Sequence, residues 1–420
     1  MSSTTASRLA VHGGAKAVPT AAPKWPITGD FEQRSMEEVV RSGAWSWNGA
    51  HEKAFCKEFA QFIGSKHCLA LCNGTVTLQC ALQAVGVVPG DEVIVPGLTW
   101  VATAQAAFDI GANVVFVDID PETLCIDPQA FERAITPRTK AVIPVHLYGC
   151  MSDMDAVMEI ARRHGIKVIE DVAHQHGSRW RNIGAGAIGD VGSFSMQQSK
   201  VLTCGEGGAV TTSDDTAYEI VHCLKQVGWS PKFEPGNRYG HNYRITEMQC
   251  VLLRGGLQRI EEQTRRREEA AARFAEGLTK IGGPLRAARR DPRVTRQAYY
   301  ALTLQYDERQ TPEIPKLEYV RALSAEGCTV NNTYWPVYRA PLMNLYDHTS
   351  PVPFRDAASM QDYRALKLPN VERAVASTAL LLSHTHLLGD DAYIDALLQA
   401  VEKVNDALPE LAKAKKQEAA

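Results

Sequence analysis

Residues Asp153–His174, DMDAVMEIARRHGIKVIEDVAH, carry the pattern that decides the fold. DMDAVMEIARRHG reads as a helix, with Asp153 as its N-cap and Gly165 as its stop. IKVIEDVAH, directly after it, reads as a strand. The same alternation extends both ways. Upstream, DEVIVPGLTW is a strand leaving a Pro-Gly-Asp turn, VATAQAAFDIG a helix closed by Gly111, and NVVFVDID and TKAVIPVHLYG two more strands. Downstream, DVGSFSM and EGGAVTTSD are strands. Apolar runs of four to six residues between helices predict a mostly parallel sheet covered on both faces. Such sheets bind ligands at the carboxyl ends of their strands.

The 420 residues are too many for one core and predict two lobes. Residues 1–35, rich in Ala, Pro, Gly and Ser, read as an extended arm. Residues 36–255 hold the sheet domain, and 256–410 a long charged helix (RIEEQTRRREEAAARFAEGL) with a smaller α+β lobe. Residues 411–420 are a charged tail. A net charge of −3 gives no electrostatic footprint for nucleic acid or an anionic membrane. No apolar stretch reaches the roughly 18 residues of a membrane helix. The opening MSSTTASRLAVHGG has no apolar leader, so the ten cysteines are expected to be buried free thiols of a cytoplasmic protein. Cys68 and Cys72 have no second Cys/His pair at finger spacing, and no metal site is expected.

Several residues could carry chemistry. In SFSMQQSKVLTCGEGGA, Ser193–Ala209, a strand runs into a polar stretch, one lysine and a glycine-rich turn. A lysine reacts with a carbonyl as the neutral amine, so a reactive Lys200 must be buried enough to lose its proton easily. As a lone residue it could also be a solvated surface lysine. Asp171 ends the strand KVIED. There it could hold a pyridine nitrogen protonated and turn the ring into an electron sink, or serve as a helix cap or ion-pair member. His174 could hydrogen-bond a ring oxygen, or be a buried histidine satisfied by backbone. In CNGTVTLQCAL, an Asn-Gly-Thr turn opens a helix whose free N–H groups form a phosphate seat at Gly74 and Thr75, within reach of the Ser195 hydroxyl. Trp100, at a strand's carboxyl end, could stack on a flat cofactor or belong to the core. HNYR, with Asn242, could bind an anion or cap the next helix. GAGAIG, Gly184–Gly189, matches a dinucleotide fingerprint but leads into a strand, and reads as a glycine-rich surface turn.

Taken together, NGTVTLQCAL, PGLTWVATAQA, VHLYG, IEDVAHQHGSRW, FSMQQSKVLTCGEGGAV and HNYRITEMQ resemble, in order and spacing, the DegT/DnrJ/EryC1/StrS aminotransferases. The resemblance implies an α/β, fold-type I, pyridoxal-phosphate enzyme, with a seven-stranded, mostly parallel sheet domain and a smaller C-terminal α+β domain. Lys200 then matches the lysine that holds the cofactor covalently and shuttles the proton. Asp171 matches the partner of the pyridine nitrogen, and His174 lies near the phenolic oxygen. Trp100 matches the stacked aromatic, Gly74, Thr75 and Ser195 the phosphate seat. Asn242 matches a residue lent by the neighbouring subunit, which implies a homodimer with shared sites.

AWSWNG and SFSMQQSK are most similar to the glutamine-dependent cyclitol aminotransferases of aminoglycoside pathways. These take pyridoxal 5′-phosphate through its pyridoxamine form and move an amino group from L-glutamine, or glutamate, to scyllo-inosose or 2-deoxy-scyllo-inosose. Two other acceptors stay open. A nucleotide-linked keto sugar would want basic residues, for which Arg238, Arg339 and AARRD are available. An aminodehydroxybenzoate-synthase-like reaction is the other. A non-catalytic regulator that kept the fold is the alternative of another class. His146, Tyr148, Gln197, Gln198 and NNTYWPVYRAPL from Asn331 are candidate substrate contacts; Trp335 and Tyr338 could instead be lobe packing.

Overall fold

The computed structural model describes residues 8–46, 48–230, 232, 239–312, 314–343 and 361–412. Arg238, Trp47 of AWSWNG and the tail from 413 lie outside the described residues. The strands, in chain order, are β1 (His67–Leu71), β2 (Glu92–Pro96), β3 (Asn113–Val117), β4 (Thr139–Val142), β5 (Lys167–Asp171), β6 (Arg179–Trp180), β7 (Ile183–Gly184), β8 (Val191–Ser195), β9 (Gly208–Thr212), β10 (Leu285–Ala287), β11 (Val294–Arg296), β12 (Ala301–Tyr306), β13 (Val330–Asn332) and β14 (Ala379–Ser383).

The helix before β5 spans Met154–His164. The Asp153 carboxylate accepts the Ala156 N–H at 3.1 Å, and Gly165 ends the helix in the left-handed conformation. The large sheet has seven strands in the order β1-β9-β8-β5-β4-β2-β3. β8, β5, β4, β2 and β3 pair in parallel, and β9 runs antiparallel to both of its neighbours. The reversal follows from the connection. The chain passes from β8 to β9 through a loop, with no helix to carry it back to the starting end.

Alternate side chains of each strand feed two cores, one on each face. Leu69, Leu71, Val93, Val95 and Ile169 join one cluster. Cys68, Ala70, Ile94, Val168 and Phe194 join the other. Each such buried aliphatic side chain contributes about 1.5–3 kcal/mol.

A second, four-stranded antiparallel sheet, β10-β12-β14-β13, packs Leu302, Leu304, Leu380 and Leu382 into a third core. One helix, Glu247–Ile281, joins the lobes, opened by a Thr246/Gln249 capping box. Its Cys250, Leu253 and Ile260 lie in the sheet-domain core, and its Ala270, Phe274 and Leu278 in the third core. The described part of the N-terminal arm docks on its own chain. The buried Glu326 carboxylate accepts the N–H groups of Ala10 and Ala17 at 2.7 and 3.0 Å. A helix, Asp30–Ser42, follows.

All ten cysteines are free thiols, eight of them buried, with Cys56 and Cys72 half-buried. Burial pushes the Cys80 thiol up to about 12 and Cys125 to about 11, so neither is a ready nucleophile. Among the described residues no helix is long and apolar enough to cross a membrane.

Candidate functional site

The carboxyl ends of β1, β2, β5 and β8 open on one cavity of about 410 Å³. Lys200, Asp171, His174, Ser195, Trp100, Gly74 and Thr75 all line it. These seven come from four separate sequence segments.

Lys200 sits in the β8–β9 loop. Hydrogen bonds Met196 N–H to Gly207 O and Gln198 N–H to Gly205 O, both 2.8 Å, extend the strand pairing and hold the loop closed. Gly205 (φ 86°) makes the reversal, a backbone conformation that other residues adopt at a cost. The side chain is 8% exposed, and Nζ lies 4.7 Å from the centroid of the Tyr300 ring. Burial pushes the amine down to about 8, against the attraction of Asp171. A solvated surface lysine is therefore not what the fold makes of it.

Asp171, at the last position of β5, is buried, and burial pushes its carboxyl up from the usual carboxylate range. It accepts the Thr103 hydroxyl at 2.9 Å and the Ala173 N–H at 3.1 Å. A carboxylate has about four acceptor positions, so half of its capacity remains.

His174 is buried, and burial and the Lys200 charge hold it well below its usual range. Its Nδ1 accepts the Tyr148 N–H at 3.1 Å, so Nε2 carries the proton and donates to the Tyr334 hydroxyl at 3.3 Å. The ring stacks on Tyr300 at 4.0 Å with planes 10° apart.

The Gly74–Ala84 helix starts where β8 ends. Asn73 Oδ1 caps it by accepting the Val76 N–H at 3.0 Å, and Gly74 and Thr75 of its first turn face the cavity. A Cβ on Gly74 would lie 2.5 Å from the Ser195 Cβ, so only glycine lets the helix start and the strand end meet. Trp100 is 48% exposed, with Tyr334 at 5.3 Å and Trp335 at 6.1 Å, which rules out a core role.

Other candidates lie elsewhere. Asn242 is exposed, bridges to Gln226, and does not line the cavity in its own chain. His146 is wholly buried against Glu170, Nε2 to Oε2 3.0 Å, and Tyr148 spends its hydroxyl on the Tyr334 N–H at 2.7 Å. Gln197 lines the cavity and Gln198 does not. Tyr338 is lobe packing, bonded to Glu372 at 3.1 Å, whereas Trp335 is exposed beside Trp100. Arg339 is spent on the carbonyls of Tyr363, Arg364 and Leu366, and Arg290 on Glu268. The GAGAIG loop is only partly a surface turn. Gly184, Ala185 and Gly186 are buried, and the N–H groups of Gly186, Ile188 and Gly189 close on the Glu170 carboxylate at 2.7–2.9 Å.

Residues 26–395 match the DegT/DnrJ/EryC1/StrS aminotransferase family. The chain belongs to that family. It is 37% identical to the L-glutamine:scyllo-inosose aminotransferase of Streptomyces griseus, over 97% of this chain and 100% of that protein. It is 37% identical to the L-glutamine:2-deoxy-scyllo-inosose aminotransferase of Micromonospora echinospora, over 94% of this chain and 97% of that protein. Among solved structures it is similar to 3-amino-5-hydroxybenzoic acid synthase, with TM-score 0.81, 31% identity, and 92% and 99% of the two chains covered. This aminotransferase has the fold-type I architecture of its structural neighbours, and aminotransferases of the family depend on pyridoxal phosphate.

Sequence reasoning missed three residues at the aminotransferase's cavity, Thr103, Glu206 and Tyr300, whereas Tyr334 lay in the stretch NNTYWPVYRAPL, already a candidate for substrate contact. Thr103 had a signal, since it stands three residues after Trp100, on the first turn of the helix that Trp100 precedes. Glu206 lay inside the glycine-rich turn already singled out. Tyr300 had none, because it comes from the second lobe and only packing brings it to Lys200.

Proposed function

We propose that this aminotransferase uses pyridoxal 5′-phosphate, alternating with its pyridoxamine form, to carry an amino group from L-glutamine, or L-glutamate, to a keto cyclitol such as scyllo-inosose or 2-deoxy-scyllo-inosose in aminoglycoside-type biosynthesis. One observation carries the reading: a buried amine with no carboxylate or carbonyl partner among the described residues and a buried carboxylate with unspent acceptor capacity, Lys200 and Asp171, line the same cavity.

The lining fits the cofactor. Gly74, Thr75 and Ser195 would hold its phosphate at the start of a helix. Asp171 would accept from the ring nitrogen, His174 would stand near the ring oxygen, and Trp100 would cover a face of the ring. Bound there, pyridoxal phosphate supplies an electron sink for the carbon that bears the amino group. Lys200 holds the cofactor, and its Nζ takes up and returns the proton at that carbon. The low dielectric that lowers Lys200 also strengthens its interaction with Asp171. Asn242 of the partner subunit would complete the phosphate seat, so the working form is a cytoplasmic homodimer.

The cavity also bears on the acceptor. Among the described residues Lys200 is its only lysine or arginine, and Arg339 and Arg290, two of the basic residues considered for a diphosphate, are engaged elsewhere. On the described residues, that favours an uncharged polyol over a nucleotide-linked sugar. The test is spectral. The purified protein should be yellow, and glutamine without acceptor should bleach it; scyllo-inosose or 2-deoxy-scyllo-inosose should restore the colour in ping-pong fashion. A colourless protein that pyridoxal phosphate cannot restore would overturn the reading. Recovery only with a nucleotide-linked 4-keto sugar, or with an amino-dehydroshikimate, would overturn the acceptor.

A further inference from the structure

Behind the lysine loop lies a buried cation with nothing to bond. Arg267, on the Glu247–Ile281 helix, is wholly buried, and its Nε and both terminal nitrogens have no hydrogen-bond partner among the described residues. Its guanidinium carbon is 5.6 Å from the Trp25 ring, and that ring meets His384 edge-on at 4.8 Å.

Two other buried polar atoms are unpaired beside the loop: Nδ1 of His176 and Nδ1 of His384. The opposite ring nitrogens are both in use. His176 Nε2 bonds the Ser195 carbonyl at 2.8 Å, and His384 Nε2 bonds the Ser199 carbonyl at 3.1 Å. A carbonyl only accepts, so each Nε2 carries the proton and each Nδ1 is a bare acceptor. Arg267 can only donate. The unpaired atoms are therefore one fork of donors and two acceptors, the acceptors belonging to the imidazoles that hold the carbonyl ending β8 and the carbonyl immediately before Lys200.

We propose that Arg267 is a positioning residue: through ordered water it hydrogen-bonds Nδ1 of His176 and of His384, and so locks both imidazoles in the tautomer that grips the Ser195 and Ser199 carbonyls. Water suits the set because it accepts from the guanidinium and donates to both Nδ1 atoms. An anion has no proton to give and would need both imidazoles charged. The neighbouring charges oppose that. Lys200 and Arg267 face His176, and Arg267, Lys200 and His386 face His384; with burial they hold both imidazoles down to about 3. The consequence for turnover rests on the reading of Lys200 as the reacting amine; the hydrogen bonding does not.

The test uses the full-length chain with 15N-labelled histidine, with and without pyridoxal phosphate, the two signals being assigned with His176→Gln and His384→Gln. Both rings should show a protonated Nε2 and a hydrogen-bonded, bare Nδ1 from pH 5 to 9. Arg267→Met should shift both Nδ1 signals, and kcat should fall about tenfold with KM for glutamine little changed. Arg267→Lys, which keeps a donor, should restore part of both. Unmoved signals in a folded Arg267→Met protein would overturn the proposal. Should that variant not fold, a proton on either Nδ1 of the unmutated chain would overturn it equally, as would an anion seated between the three side chains in a crystal. Failure of glutamine to bleach the protein would sink the proposed function while leaving the imidazole signals to answer this one.

Discussion

Glu170 and Asp171 are neighbours on one strand, both acidic and both buried, and the fold uses them in opposite ways. Glu170 points to the face of the GAGAIG loop and meets four donors: His146 Nε2 and the N–H groups of Gly186, Ile188 and Gly189. Every acceptor position it has is filled. Asp171 points to the cavity and meets two donors, Thr103 and Ala173. A buried carboxylate with every position filled stabilises the fold and can do little else. One left half-bonded costs stability and keeps room for a ligand's N–H. The difference between the filled acid and the one proposed to hold a ligand is a count of donors, one residue apart.

That contrast can be broken by mutation. The largest effect expected is at the amine facing Asp171: Lys200→Ala should abolish transfer from glutamine, and measurable turnover by amino-product assay would remove the lysine from the mechanism. Next come the two acids. Asp171→Asn should lower kcat on the order of 10²–10³-fold with little change in unfolding midpoint, as expected for one electrostatic partner at a reacting centre. Glu170→Gln should instead cost about 3 kcal/mol in denaturant unfolding, because it sets an amide donor against backbone N–H groups and a histidine. If the two variants exchanged these phenotypes, the comparison would be wrong.

Smaller effects sharpen the picture. Gly74→Ala would force its Cβ against Ser195 and should weaken pyridoxal phosphate binding about tenfold, read by equilibrium dialysis. The smallest effect is a titration shift. In protein freed of cofactor, reaction of Lys200 with an added aldehyde should rise with pH and level off above about 8, as the amine loses its proton. Asp171 favours the charged amine, so Asp171→Asn should move that midpoint down. A midpoint near 10.5, the ordinary lysine value, would mean that the amine is solvated.

How much of this was legible differs from residue to residue. Asp153 and Gly165 mark their helix because caps are local chemistry. Asp171 could be chosen over Glu170 because it stands at the strand's end, and the pleat alternates side chains between faces. What Glu170 does could not be read, since three of its donors come from a loop sixteen and more residues on and the fourth, His146, from 24 residues before. That loop in turn looked like a surface turn because glycine marks a bend without saying what the bend encloses. In the cavity's aromatic wall Trp100 and the stretch holding Tyr334 were legible, and Tyr300 was not, for the same reason at longer range. Tyr300 meets His174 only because the second sheet packs against the first. Asn242 is the converse case, legible by resemblance and outside the cavity of its own chain.

The reversed direction of β9 has a consequence for how the amine is kept in place. Ser195 pairs with Gly208 across the short loop that bears Lys200, whereas Leu71 pairs with the same glycine from a chain separation roughly ten times longer. Closing the longer loop costs about 2 kcal/mol more in chain entropy. β1 is the edge strand, so when it frays the hairpin beneath the lysine does not depend on it. The amine of Lys200 hangs from the most locally closed pairing in the sheet, and local opening at the edge leaves its scaffold standing.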